Sequence, residues 1–599
     1  MKKIILSVIS IALCFCLIVP FGATAFAGEN QSEERVSIVS LEDYLAKAGS
    51  SSFKTGFMKI LAQSINVLSD TLINTLGKAL GLVIPKTSVL NDYASFKLDD
   101  YGNFYEGMDK FLDAPAVGAK WSLGYSEATI MPADFGTKAY AMGGYGLMAN
   151  TTEKFDDLMV RTVVLDDGSG RGKVVFAVLD AIGIANADVR LIRENLKDFA
   201  KENNIVSINI SCTHTHSGID LEGVWNDTIK NVLNNLILSP LGLSGIKSGV
   251  DRTFLNTIIA STTKTVKEAV AGMEKGSLTF AKMDIAEDYL RDRTAPYTFD
   301  GNLYRLKFTP DKKSAKPTII TTFSAHPENS GYEFEVISAD FVPNIEKVIN
   351  KAGYNFIYIQ GCIGTITYQR GASDDGLDLN RQEEAVRYGY EIGYMILGMT
   401  KTERECDALN YELGDLLGVQ QYGNSANYSV WYENWKPVEE KEVPPLLNIA
   451  HKQYIIEVTN PLLDIIGKSG ITDFFFLYEK NTGKYYSVTE CGYMEIGDVL
   501  KVEICPGETY GELLIGGDGI DGFEYNSLRS KYGENLIVFD LMNDAIGYIE
   551  PDNEFVMAGV QYSESKDTFD TDTWCLISFG KNTASKVIGE FMSLADSVR

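Results

Sequence analysis

Residues 206–218 read VSINISCTHTHSG, an alternation of apolar and polar residues running into two histidines, His214 and His216. The alternation predicts a strand, because successive side chains on a strand point to opposite faces. At spacing i, i+2 the two imidazoles then project from one face at the strand's C-terminal end, where α/β proteins usually place their sites. Two imidazoles on one face suit a metal such as zinc, whose catalytic sites have three protein ligands and an open position for water. The pair uses half of the four histidines in a chain of 599 residues.

Outward from this stretch the signals alternate. LMVRTVVLDD (158–167) and KVVFAVLDAIGI (173–184) read as strands flanking the turn GSGRG, a hairpin. NADVRLIRENLKDFAKEN (186–203) and RTFLNTIIASTTKTVKEAVAGM (252–273) carry the apolar spacing of helices. YRLKF (304–308) and PTIITTFSAH (317–326) return to strand, FVPNIEKVINKAG (341–353) to helix and YNFIYIQG (354–361) to strand. LNRQEEAVRYGYEIGYMILGMT (379–400) is a long helix, and DFFFLYEK, KYYSVTE and DVLKVEIC are strand-like stretches between 473 and 505. Helices interleaved with buried strands predict an α/β fold, a layered mixed sheet because the hairpin reverses direction.

A third histidine strengthens the metal reading. TTFSAHPENSG places His326 at the end of another strand, with Pro327 ending the ladder. VLKVEICPGETYGELLIGG runs a strand into Pro506-Gly507-Glu508, a tight turn that projects a carboxylate. The fourth histidine, His451 in NIAHKQY, has no comparable context and reads as structural. Asp180, at the end of its strand, is placed either to orient a ligand imidazole or to satisfy a loop.

Composition bounds the rest. A net charge of −27 excludes nucleic acid as a partner, since phosphate binding needs clustered Lys and Arg. Lys2 and Lys3, an apolar run and Ala25-Phe26-Ala27 predict a secretory signal peptide over 1–27 and export of the remainder. Residues 28–118 read as an N-terminal helical extension, with an apolar stripe through Ile65, Leu68, Leu72 and Leu76 that packs on the rest of the protein or meets a membrane. Residues 119–599, which carry the histidine boxes, read as the main domain. The cysteines are too widely spread for a disulfide scaffold; Cys212 and Cys362 flank the site boxes and read as small apolar packing.

In order along roughly 119–595, the chain resembles the neutral ceramidase family, zinc amidohydrolases that split ceramide into sphingosine and a fatty acid. SCTHTHSG, FSAHPENSG, ISADFVPNIEKVI followed by FIYIQGCIGTIT, ICPGET, and LMNDAIGYIEPDNEF carry the likeness. The resemblance implies zinc ligands at His214, His326 and Glu508, with His216 lying beside the metal; as an imidazole that titrates near neutral pH, His216 is then the natural catalytic acid/base. It also implies Arg293, in YLRDRTAPYTF, as the arginine that holds the reacting carbonyl. The family's serine is replaced by Gly361, whose N–H is then free to line the site, and its tyrosine ligand by Ala545. Either Tyr548 reaches the metal in its place, or the coordination stays more open. The family's C-terminal immunoglobulin-like domain has no counterpart in the matching segments.

The resulting expectation is a secreted hydrolase in which zinc-activated water cleaves the N-acyl bond of ceramide or a related N-acyl lipid. The departures at 361 and 545 leave open an esterase or amidase acting on another amphiphile, or an inactive relative that binds lipid or a cell-surface ligand. Peripheral membrane contact fits a lipid substrate. The apolar segment Trp225–Leu243 after the histidine box is a candidate wall for an acyl chain.

Overall fold

The turn at 168–172 reverses the chain as its glycines demand: Gly168, Gly170 and Gly172 all adopt positive φ. The strands on either side pair antiparallel, Val164 opposite Val175. The structure is a computed structural model. It describes residues 58, 61–62, 64–75, 77 and 91–599 except 145–148, 286–288, 295–296, 331–334, 370–378, 400–437, 558–559, 564–567 and 572–576. The signal-peptide reading of 1–27 lies outside the described residues.

Nine strands form the first sheet: β1 Ser122–Thr129, β2 Met159–Asp166, β3 Lys173–Leu179, β4 Ile205–Cys212, β5 Glu274–Asp284, β6 Asn302–Pro310, β7 Thr318–Phe323, β8 Asn355–Gln360 and β9 Lys441–Val443. Their order is β8-β7-β6-β5-β1-β2-β3-β4, with β9 beside β5. The outer pairs β3/β4 and β7/β8 are parallel and the strands between them antiparallel, so the mixed sheet inferred from the hairpin is present. A six-stranded second sheet contains β10 Leu447–Val458, β11 Phe476–Tyr478, β12 Tyr485–Ile496, β13 Leu500–Ile504 and β14 Leu536–Phe539, with Asn91–Asp92 at its edge.

The apolar faces dictate the layering. Val163, Phe176, Val178 and Leu306 of the first sheet share one core with Met494, Ile496 and Val502 of the second, so the sheets pack face to face. Helices α1 Asn186–Glu202 and α2 Arg252–Ala271 cover the outer face of the first sheet through Val189, Ile192, Phe254 and Ile258. Helices α3 Val342–Lys351 and α4 Arg381–Gly398 cover it beside β7 and β8. Helix α5 Thr583–Ser597 closes the far side of the second sheet through Val587, Ile588 and Phe591. Within the extension, 64–75 is helical and tied to the core where Asp70 accepts from the N–H of Met557 at 2.8 Å, while Leu68 and Leu72 face solvent.

One constraint places the site. Strands β4 and β7 are six positions apart in the strand order, a gap of roughly 29 Å in a flat sheet. The rings of His214 and His326, just past their C-terminal ends, lie only 4.8 Å apart. The sheet therefore curls until its edges nearly meet, and the segment 540–543, directly after β14, seals the seam. Asp540 donates its N–H to Gln360 at 3.1 Å on the β8 side, and Asn543 donates its N–H to Ile210 at 2.7 Å on the β4 side. The Asn543 side chain accepts from the N–H of Ile210 at 2.9 Å and donates to Asn209 at 3.1 Å. Leu541 and Asn543 hold positive φ to make the turn, a conformation that asparagine tolerates better than most residues.

Behind β4, a buried ion pair joins the layers. Arg193 of α1 donates to Glu490 of β12 at 2.6 and 2.9 Å and to the carbonyl of Ile208 at 2.9 Å. Burial alone would raise the Glu490 carboxyl, but Arg193 and then Arg190 hold it down to about 2.

Asn543→Ala should lower stability by about 2–4 kcal/mol in urea denaturation, since it orphans the Ile210 N–H and puts alanine at positive φ. Because the folded Glu490 value lies below its ordinary 4.5, the stability it supplies is present above that pH and lost as pH falls toward 2. Glu490→Gln should cost roughly 3–5 kcal/mol at pH 7 and flatten the acid limb of a pH–stability curve.

Candidate metal centre

The histidine box does not continue the pleat of β4. The strand ends at Cys212, and His214 adopts φ 65°, so the backbone turns where alternation would have kept it straight. The N–H groups of Thr213 and His214 bond to the carbonyls of Leu179 and Ala181, and that of His216 bonds to Pro327, next to His326. The turn thus brings His214 and His216 together, ring centroids 4.9 Å apart, by a route other than the expected strand spacing. Gly144 makes room for it: a Cβ there would lie 2.7 Å from the Cα and Cβ of His216.

His214, His216 and His326 are buried, and a ligand nitrogen of each lies within 4.8 Å of the others, so the group can hold a metal ion. Backbone carbonyls orient two of them. His214 Nδ1 donates to Ile182 at 2.6 Å and His326 Nδ1 to Ile366 at 2.7 Å, which leaves both Nε2 atoms facing inward. Both then meet one carboxylate oxygen: Glu508 Oε2 lies 3.4 Å from His214 Nε2 and 3.3 Å from His326 Nε2. Lone pairs directed at a carboxylate repel unless a proton or a cation intervenes. Two donors on a tetrahedral ion at zinc distances lie about 3.3–3.4 Å apart, so the donor spacing fits a metal.

Electrostatics agree with the geometry. Burial would raise the Glu508 carboxyl, yet His214 and His326 hold it well below the usual range. Burial favours the neutral imidazole at His216 and His326, whereas Glu508 outweighs burial at His214 and raises it.

Glu508 is delivered by a two-residue ladder, Glu508–Thr509 parallel to Tyr548–Ile549, with Glu508 opposite Tyr548. The Tyr548 ring lies nearly parallel to His326, centroids 6.5 Å apart, so the structure places Tyr548 at the site. Arg293 is near enough for its charge to bear on His216, and its guanidinium is paired with Glu328, which Thr367 also contacts. Asp540 fixes this side by accepting from the Thr509 hydroxyl at 2.6 Å, the Thr509 N–H at 2.8 Å and the Ile363 N–H at 2.9 Å.

The remaining expectations divide. Asp180 touches no ligand imidazole; it accepts from Arg161 and from the N–H of Met159, each at 2.9 Å, and ties β2 to β3. The Gly361 N–H does not line the site, because it donates to Phe323 at 3.2 Å. The acyl-wall segment divides: Val232 and Leu236 pack on Ile465 and Ile471, while Leu238, Leu241 and Leu243 are exposed. His451 is structural as expected, bonded to Ser207 at 2.8 Å. Cys212 and Cys362 are free, buried and in separate cores.

These elements define a helix-clad double-sheet α/β protein with a buried histidine–carboxylate cluster where the curled sheet closes. Among solved structures, neutral ceramidase from Pseudomonas aeruginosa shares the fold at TM-score 0.54, with 14% identity over 80% of this chain and 74% of that one. A ceramidase complexed with C2 matches at TM-score 0.50, again 14% identical, over 80% of this chain and 75% of that one. The fold is thus neutral-ceramidase-like. No family model and no curated protein matches the sequence.

Gly361 packs so closely on β7 that a Cβ would lie 2.9 Å from the Phe323 carbonyl carbon and oxygen. Gly361→Ser should therefore destabilise the protein by about 1–3 kcal/mol in thermal or urea unfolding.

Proposed function

We propose that the protein is a secreted zinc-dependent amidohydrolase that cleaves the N-acyl bond of ceramide or a related N-acyl lipid, releasing fatty acid and amine. The observation that carries the reading is the shared Glu508 oxygen, 3.3 and 3.4 Å from two imidazole nitrogens in a ceramidase-like fold. His214, His326 and Glu508 would hold the metal, with Tyr548 beside them. Zinc bound there would polarise an acyl carbonyl and lower the pKa of water.

The remaining chemistry belongs to the chain. His216, its ring 4.9 Å from that of His214 and 5.5 Å from that of His326, is placed to take a proton from the attacking water and return it to the departing amine nitrogen. Arg293 positions the substrate carbonyl, exchanging part of its pairing with Glu328 for the ligand. Peripheral contact with the membrane that carries the substrate belongs to the same reading. Exposed Leu68, Leu72, Leu238, Leu241 and Leu243 support it, and no helix among the described residues is long and apolar enough to cross a membrane.

Purified protein should bind about one equivalent of zinc and release fatty acid from a fluorescent ceramide. His326→Ala should lose both. Zinc-loaded protein that turns over O-acyl lipids only would redirect the reading to an esterase. No turnover on either lipid class would leave a binding protein.

A further inference from the structure

Six residues past His216, the loop GIDLEGVW carries a carboxylate that the metal centre described above does not use. Asp220 pins this loop, accepting from the N–H groups of Glu222 at 3.0 Å, Gly223 at 2.9 Å and Trp225 at 2.9 Å. Glu222 therefore leaves a rigid turn, and although the residue is half-buried its carboxylate points inward. Its Oε1 lies against Gly183: a Cβ at that glycine would come within 2.1 Å of the oxygen and within 2.6 Å of the Ala545 Cβ. The carboxylate enters a slot that exists because residue 183 has no side chain and residue 545 only a methyl group. Gly183 directly follows Ile182, whose carbonyl orients His214, so the slot opens on the His214 side of the cluster.

Among the described residues, no group donates a hydrogen bond to this carboxylate. Burial first, and Asp220 second, push the Glu222 carboxyl up to about 8, with Glu508 adding to the repulsion and His214 opposing it. With no protein donor, this carboxylate is left to a proton, to solvent or to a cation, and a cation in the cluster would stabilise its charged form beside Glu508.

We propose that Glu222 is a further carboxylate of the same metal centre, reaching the ion or its bound solvent from the face of Gly183 and Ala545. This rests on the metal reading above. It gives a physical reason for alanine at 545, since a large side chain there would occupy the carboxylate's slot. It also makes the centre more anionic than one with Glu508 alone, and so favours a divalent cation over a cationic substrate group.

The test is metal binding rather than turnover. Apo protein is titrated with cobalt(II) and with zinc(II), the dissociation constant is taken from chelator competition, and the visible spectrum of the cobalt form is recorded. Glu222→Gln should raise the dissociation constant roughly 10- to 100-fold and shift the cobalt bands, while thermal unfolding of the apo protein stays unchanged or rises. Glu222→Asp keeps the charge but withdraws it by one methylene, and should fall between wild type and Glu222→Gln. Wild-type affinity and spectrum in Glu222→Gln would overturn the assignment, including the case in which only KM changes and Glu222 is a substrate contact. A wild type that takes up no metal, or His326→Ala that binds like wild type, would instead overturn the underlying metal site and Glu222 with it.

Discussion

Everything at the cluster depends on closing a sheet whose two functional strands lie near opposite ends of its strand order. Four residues accomplish this: Asp540 reaches Gln360 on one edge and Asn543 reaches Ile210 on the other. Without that seam His214 and His326 would belong to different places on the surface. With it, their Nε2 atoms converge on one oxygen of Glu508. Asp540 couples seam to site directly, since the carboxylate that receives the Ile363 N–H also grips Thr509, the neighbour of Glu508. The cost is a buried carboxyl pushed by desolvation up to about 7, offset by three hydrogen bonds.

The same economy recurs around the imidazoles. A histidine that is to hold a metal needs its second nitrogen fixed, and at His214 and His326 main-chain carbonyls of Ile182 and Ile366 fix it. Carbonyls at fixed positions add no charge to a region already crowded with Glu508, Glu222 and Asp540. Asp180 neutralises buried Arg161 instead. Glycines complete the arrangement by letting backbones approach: Gly144 against His216, and Gly361 against Phe323.

Much of this was legible in the residues. The α/β alternation, the 168–172 hairpin and strands β4, β7 and β8 stand out because buried strands rich in Val and Ile leave little ambiguity. Strands β1, SLGYSEAT, and β5, EKGSLTFAKMD, do not, since glycine, serine and charged residues dilute their pattern. The histidines announced themselves by rarity: four in the chain, three now in one cluster. Carboxylates cannot do so, and among 81 acidic residues neither Glu222 nor Asp540 carries a local mark. Asp540 ends an apolar strand and Glu222 follows the histidine box, but their roles come from packing between segments hundreds of residues apart. The positive φ of His214 was equally hidden, because alternation describes a strand and is silent about where it stops.

The seam also has a meaning in time. Its bonds join residues 333 apart in sequence, and His326 meets Glu508 across 182. Contacts of such separation carry the loop-closure entropy of the long chain between them. Strands β1–β4 on their own bring together only His214 and His216; His326 and Glu508 come from segments more than a hundred residues further along the chain. A cluster able to hold a metal ion is therefore complete only once the segment that closes the sheet is in place.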